Sequence, residues 1–217
     1  MVRIKICGIT NLEDARAAIA AGADMLGFNF YRASPRFIEP EAALTIIKEL
    51  QPDIARSAQT VTTIGVFVNE ASPEHLIGIA DRAGVDGVQL HGDESVEFCR
   101  NLKVLLKDRF LIKAISVGAD FAPEHAVAYD VDAIMLDAFH SNLRGGTGRV
   151  IDMSIARRTR ELVSRLILAG GLSPKNIGNA IAAVQPYAVD ACSALESLPG
   201  KKDSARMKAF VRAVRNG

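Results

Sequence analysis

Cys7 ends the short apolar run Ile4–Cys7 and is followed at once by Gly8, which leaves space beside it. A thiol at the tip of an N-terminal strand, ahead of a turn and a helix, points into the mouth of whatever that strand builds. With an ordinary pKa of about 8.5, such a group suits removal of a carbon-bound proton, or nucleophilic attack once ionised. A nucleophile would want an adjacent histidine base, and the sequence assigns none, so proton abstraction is the better match. The plain alternative is a cysteine packed as a small hydrophobe. The second group is Asp137, which closes the apolar run Ala133–Leu136. It could merely cap a helix or tie a loop. At the edge of an apolar barrel, desolvation would instead raise its pKa and let it donate a proton near neutrality. Facing one cavity, the two would make an acid/base pair.

Two small-residue loops could seat an anion beside that pair. Gly170-Gly171 follows the run Leu166–Ala169, and Ser193-Ala194 follows Ala188–Ala191, ahead of Leu195-Glu196-Ser197, which could open a short helix. In parallel barrels the loops after strands seven and eight commonly hold phosphate through backbone N–H groups. Arg36, stiffened by Pro35, sits in a loop able to hang over the mouth and grip a carboxylate with two hydrogen bonds. Leu143–Arg149 is glycine-rich and reads as a lid or wall. His91 ends strand four, where it either orients loops or contacts ligand. Cys99 reads as core, and Cys192 as filling the space behind strand eight. His75, His125 and His140 have no ligand-like spacing, so no metal is expected.

The elements needed to position these groups recur along the chain as an apolar run, a turn and an amphipathic stretch. The strand candidates are Ile4–Cys7, Met25–Phe30, Thr63–Val68, Gly87–Leu90, Leu111–Ser116, Ala133–Asp137, Leu166–Ala169 and Ala188–Ala191. Helix starts are marked by Asn11 with Asp14, by Ser72-Pro73-Glu74 and by Ser173-Pro174, the last ahead of Lys175–Val184; Asp203–Asn216 forms a final helix. Continuous rather than alternating apolar strands imply a parallel sheet covered by helices. Eight units without a GxGxxG or GxxxxGK[ST] fingerprint favour an α/β fold, a single (β/α)8 TIM barrel spanning residues 1–217, over an open nucleotide-binding sheet.

Composition excludes several partners. The 26 Lys and Arg against 25 Asp and Glu give a net charge of +1, so no broad field attracts nucleic acid or an anionic membrane. The apolar runs are strand-sized, and the N-terminus has no signal-peptide pattern. Three widely spaced cysteines suit neither a disulfide framework nor a zinc site, which makes a cytoplasmic location the expectation.

Taken in order, Lys5–Thr10, Gly27–Tyr31, Ser34-Pro35-Arg36, Gly65–Asn69, Val88–Gly92, Leu136-Asp137, Gly145–Gly148, Ala169–Leu172 and Pro199–Asp203 make the chain resemble the phosphoribosylanthranilate isomerases of tryptophan biosynthesis. The resemblance covers almost the whole chain. It implies an Amadori rearrangement of N-(5-phosphoribosyl)anthranilate to 1-(2-carboxyphenylamino)-1-deoxyribulose 5-phosphate, with no metal or organic cofactor. By the same analogy Asp137 is the general acid at the ribose ring oxygen and Cys7 the base at C2. Arg36 holds the anthranilate carboxylate, and the backbone of Gly170, Gly171, Ser193 and Ala194 holds the phosphate. The implied partner is this phosphorylated small molecule, with the chain a monomer or homodimer. Two segments depart from the family. Ser-Ser-Gly-Val-Glu after strand eight is Cys192-Ser193-Ala194-Leu195-Glu196 here, where the methyl of Ala194 crowds the anion, more so at positive φ. Phe-Asp-Trp is Ile151-Asp152-Met153, with less aromatic bulk beside the lid. Two other readings remain. One is a sugar-phosphate epimerase or aldolase, for which Lys113 is the only strand-borne Schiff-base candidate. The other is a silent metabolite-binding barrel.

Overall fold

The computed structural model describes residues 1–57, 60–138 and 152–217. Each of the eight expected strands forms within one residue of its expected ends: β1 (Arg3–Cys7), β2 (Met25–Asn29), β3 (Thr62–Phe67), β4 (Gly87–Leu90), β5 (Phe110–Val117), β6 (Ala133–Ala138), β7 (Leu166–Leu168) and β8 (Ala188–Ala191). All neighbours are parallel, and β1 pairs with both β2 and β8, closing a barrel. Alternation along each strand sorts the side chains. Ile4 and Ile6 face the helix layer, whereas Met25, Ile64, Ile112, Met135 and Ile167 pack in an inner cluster.

The helices are α1 (Leu12–Ala21), α2 (Pro40–Arg56), α3 (Pro73–Ala83), α4 (Val96–Leu106), α5 (Met153–Leu162), α6 (Ile177–Val184) and α7 (Ser204–Asn216). Their starts follow the capping chemistry. Asn11 accepts from the Asp14 N–H and donates to its carboxylate, both at 2.8 Å. Ser72 and Asp203 likewise accept from residues three positions on. None of the described helices is long and apolar enough to cross a membrane.

Three features differ from expectation. The helix expected from Lys175 starts at Ile177, because Pro174–Asn176 form a turn in which Asn176 accepts from Ser173 N–H and donates to Gly171 O. The segment from β5 to β6 contains only a 3-10 turn, Pro123–Ala128, instead of a full helix. After β8, Ser193–Leu195 is a 3-10 turn leading into a hairpin of β9 (Glu196–Leu198) and β10 (Lys201–Lys202) rather than a helix, since the Pro199-Gly200 turn sends the chain straight back. The expected lid Leu143–Arg149, together with His140 and Ile151, lies outside the described residues.

Side chains fasten both ends of the barrel. At the N-terminal face Asp24, Asp86 and Asp132, each just before an even-numbered strand, accept from the N–H groups of Ile4, Thr63 and Leu111, all at 2.8 Å. The β7–β8 pair has Tyr187 at the matching place, whose main-chain N–H donates to Leu166 O. On the other side Lys113 is buried, and its ammonium donates to Glu94 at 2.6 Å and to Gly92 O at 2.8 Å. Glu94 also accepts from the N–H groups of Asn69 and Gly92, pinning the loop after β4. Glu94→Ala strands that ammonium in the interior. It is expected to destabilise the fold by about 3–5 kcal/mol, a loss measured by urea unfolding, with Glu94→Gln milder.

Candidate active site

The rim at the C-terminal ends of the strands encloses a cavity of about 430 Å³. Cys7, Arg36, His91, Asp137, Gly170, Gly171, Cys192, Ser193 and Ala194 all contribute to its walls. The seven residues expected from the sequence are therefore brought together. Cys7 on β1 and Asp137 on β6 approach from separate walls, with β7 and β8 between them in the ring.

Beneath Cys7 lies a charge pair created by barrel closure. Lys5 and Asp190 are register partners of β1 and β8, and their side chains meet at 2.8 Å with the lysine fully buried. Gly27 makes the arrangement possible from β2. A Cβ there would stand 2.8 Å from Cys7 Sγ and 3.1 Å from Lys5 Nζ, so a larger residue would displace both. Burial alone would draw the Lys5 pKa down, but the charges of Asp190 and Cys7 outweigh it and hold the ammonium protonated. Burial pushes the Asp190 carboxyl up to about 6, against the opposing pull of Lys5.

Cys192 corrects one expectation. Instead of filling space behind β8, it lines the cavity, where its thiol donates to Glu196 Oε1 at 3.8 Å and interacts with Cys7. Its sulfur is 3.7 Å from Lys202 Nζ. The bond from Cys192 leads the effects on Cys7. With the positive charges of Lys5 and Lys202 it overcomes the burial penalty and keeps the Cys7 thiol well below the ordinary thiol range. The Cys192 thiol is correspondingly raised, by its interaction with the Cys7 thiol and by burial. Cys192→Ala is expected to move the pH midpoint for alkylation of Cys7 by iodoacetamide upward, as read by peptide mass spectrometry. An unchanged midpoint would remove Cys192 from the ionisation of Cys7.

Asp137 is held from the loop that follows β4. Its Oδ2 lies 3.1 Å from His91 Nε2, and His91 Nδ1 lies 2.7 Å from the carboxamide nitrogen of Gln89. Burial would lower the His91 pKa, but the hydrogen bond and charge of Asp137 outweigh it and raise it. On the far side Gly170, at φ +80°, passes so close that a Cβ would lie 2.5 Å from Ala138 N and 2.6 Å from Asp137 Oδ1. Only glycine fits that conformation and that approach. Gly171 is also at positive φ, and the two give the backbone a concave turn beside the acid. Ala194 is not at positive φ, so the feared backbone strain is absent.

Arg36 faces the cavity already held by one carboxylate. Its Nε and Nη2 donate to Glu196 at 2.8 and 2.7 Å, leaving Nη1 without a partner among the described residues. Buried Lys202 bonds the same carboxylate at 2.9 Å. Burial of Glu196 raises its pKa, but these two cations outweigh the effect and leave it lowered. Lys113, the Schiff-base candidate, is tied to Glu94 and Gly92 and does not line the cavity. No group of three or more His, Cys, Asp or Glu among the described residues could hold a metal ion.

Sequence reading alone missed Lys5, Asp190, Glu196 and Lys202, and left His91 open. The available signals were a lysine and an aspartate, each interrupting an otherwise apolar strand.

The comparisons with known proteins agree with this geometry. The family model for N-(5'-phosphoribosyl)anthranilate isomerase matches residues 4–213. The isomerase of that name from Pelobacter propionicus is 45% identical over 216 residues, covering 99% of this chain and 96% of the relative. The crystal structure of phosphoribosyl anthranilate isomerase from Thermotoga maritima superposes with a TM-score of 0.88 at 40% identity, covering 100% of both chains. A crystal structure of the isomerase in complex with reduced 1-(o-carboxyphenylamino)-1-deoxyribulose 5-phosphate matches with a TM-score of 0.85, also at 40% identity and full coverage of both. With its barrel closed, its thiol and carboxyl on one cavity and its whole length matched, the chain belongs to the N-(5'-phosphoribosyl)anthranilate isomerase family.

Proposed function

We propose that Asp137 and Cys7 carry the family's reaction, the Amadori rearrangement of N-(5-phosphoribosyl)anthranilate, within one (β/α)8 domain spanning residues 1–217. Asp137 gives its proton to the ribose ring oxygen, so that the C1–O bond breaks and a Schiff base forms. Cys7, as thiolate, removes the proton from C2. The resulting enolamine becomes the ketone by losing its O2 proton and gaining one at C1, so no net proton is consumed. Each positioned proton transfer contributes on the order of 10²–10⁴ in rate. The free Nη1 end of Arg36 takes the anthranilate carboxylate, its head held still by Glu196. The N–H groups of Gly170, Gly171, Ser193 and Ala194 receive the phosphate.

The observation that carries this reading is the placement of the Cys7 thiol, its pKa lowered by Cys192, Lys5 and Lys202, in the cavity that Asp137 also faces. A low-pKa thiolate beside a carboxyl suits proton removal from carbon. Organic cofactors and metals have no role in this scheme. The free thiols of Cys7 and Cys192 suit a cytoplasmic location, and a monomer or homodimer is the expected assembly. The test follows the fluorescence of freshly generated phosphoribosylanthranilate: turnover supports the reading, and a stable signal with folded protein overturns it. The aldolase alternative would instead give borohydride-dependent mass gain at Lys113 with a sugar phosphate.

A further inference from the structure

Gln89 on β4 and His91, the residue just past its end, are two positions apart and point the same way, Gln89 deep in the barrel and His91 at its rim. Together with Asp137 they form a line of hydrogen bonds, 2.7 Å from the Gln89 carboxamide nitrogen to Nδ1 and 3.1 Å from Nε2 to Oδ2. A carboxamide nitrogen only donates, so with the amide in this orientation Nδ1 presents its lone pair. The imidazole proton then sits on Nε2 and is given to Asp137. Gln89 Oε1 is the single buried side-chain polar atom with no hydrogen-bond partner among the described residues. An apolar side chain would fill the same volume without stranding an oxygen. Packing therefore does not account for an amide here, and its bond to His91 does.

The other carboxyl oxygen of Asp137 faces Gly170 and the cavity. One oxygen is thus tied back and the other is free to meet a substrate. When the free side gives up its proton, the carboxylate left behind already has an N–H donor in place. We infer that His91, kept in one tautomer by Gln89, is a positioning residue for the acid Asp137. It fixes which oxygen faces the substrate, and its N–H stabilises the negative charge that proton transfer leaves on the carboxylate. The inference rests on the isomerase reading above. It adds a support that the sequence pattern alone leaves open.

Steady-state kinetics on freshly generated phosphoribosylanthranilate test it with wild type, Asp137→Asn, His91→Ala, His91→Gln and Gln89→Leu, each checked for folding by circular dichroism. His91→Ala is expected to lower kcat about 10–100-fold, the range seen when a supporting group is removed, with KM within about twofold of wild type. His91→Gln, whose amide can again donate to Asp137, should recover part of that loss. Gln89→Leu should fall between wild type and His91→Ala. In 15N spectra of histidine-labelled protein, its His91 should change from the single Nε2–H tautomer to a mixture. If kcat of His91→Ala stays within about twofold, or only KM rises, the positioning role is wrong. It is also wrong if His91→Gln is no better than His91→Ala, or if His91→Ala is as inactive as Asp137→Asn, since His91 would then be the proton donor itself. An active Asp137→Asn would instead remove the acid assignment, a separate failure.

Discussion

Cys7→Ala should reduce kcat by on the order of 10²–10⁴, the contribution of one positioned proton transfer, while leaving unfolding midpoint and substrate affinity close to wild type. The sulfur lies at the rim over Gly27 rather than in the helix-facing core, so its loss opens little space in packed structure. Cys7→Ser separates shape from acidity. A hydroxyl keeps the size of the group but does not ionise, even beside the Lys5 ammonium, so Ser should be nearly as inactive as Ala. Because Cys192, Lys5 and Lys202 hold the Cys7 thiol below its ordinary range, the thiolate of the wild type persists at pH values where a free cysteine is protonated. Activity should therefore fall on the acid side only as pH drops through this depressed pKa. A wild-type acid limb at the ordinary thiol pKa, or retained activity in Cys7→Ser, would count against Cys7 as the base.

Asp137→Asn is the second large effect, expected at a similar on-the-order-of 10²–10⁴ loss in kcat. The amide has nearly the same shape and can still accept from His91 Nε2, so the rim should keep its form. What disappears is a proton acidic enough to reach the ribose oxygen. The two variants block different steps. Asp137→Asn should leave the glycosyl ring closed, and Cys7→Ala should permit ring opening without loss of the C2 proton. Supplying substrate deuterated at C2 distinguishes them: a primary isotope effect should be absent from the residual rate of Asp137→Asn and present in that of Cys7→Ala. The same isotope effect in both would place the two groups on one step and overturn the division of labour.

Much of the scaffold is legible in the sequence because a parallel strand buried on both faces leaves a local trace. Runs such as Ala133–Leu136 or Leu166–Ala169 are apolar from end to end, and the change to Asp or Gly marks where they reach the rim. Cys7, Asp137 and Gly170-Gly171 are legible for the same reason. What escapes is whatever depends on ring closure or on a single turn. Lys5 meets Asp190 only because β1 and β8 become neighbours, 185 positions apart in sequence. Cys192 looks like filler until the backbone turn after Ala191 brings its sulfur to Cys7. Glu196 and Lys202 gain meaning from the β9–β10 hairpin, which replaces the short helix read there. Lys113 illustrates the converse. A lysine within a strand looks reactive in isolation, yet the loop after β4 supplies Glu94 and neutralises it.

The carboxylate ties at the N-terminal face join β1 to β2, β3 to β4 and β5 to β6, but not the last pair, β7 and β8, where the Arg165 guanidinium instead lies over the Tyr187 ring, 5.6 Å from its centroid. The loops proposed to cradle phosphate, at 170–171 and 193–194, belong to those same two strands at the opposite end. A bound phosphoryl group would consequently act as a removable staple across a seam that the carboxylate ties do not reach. Its stabilisation, RT ln(1 + [L]/Kd), would be felt there first. The empty enzyme should begin to part where the occupied one is stitched.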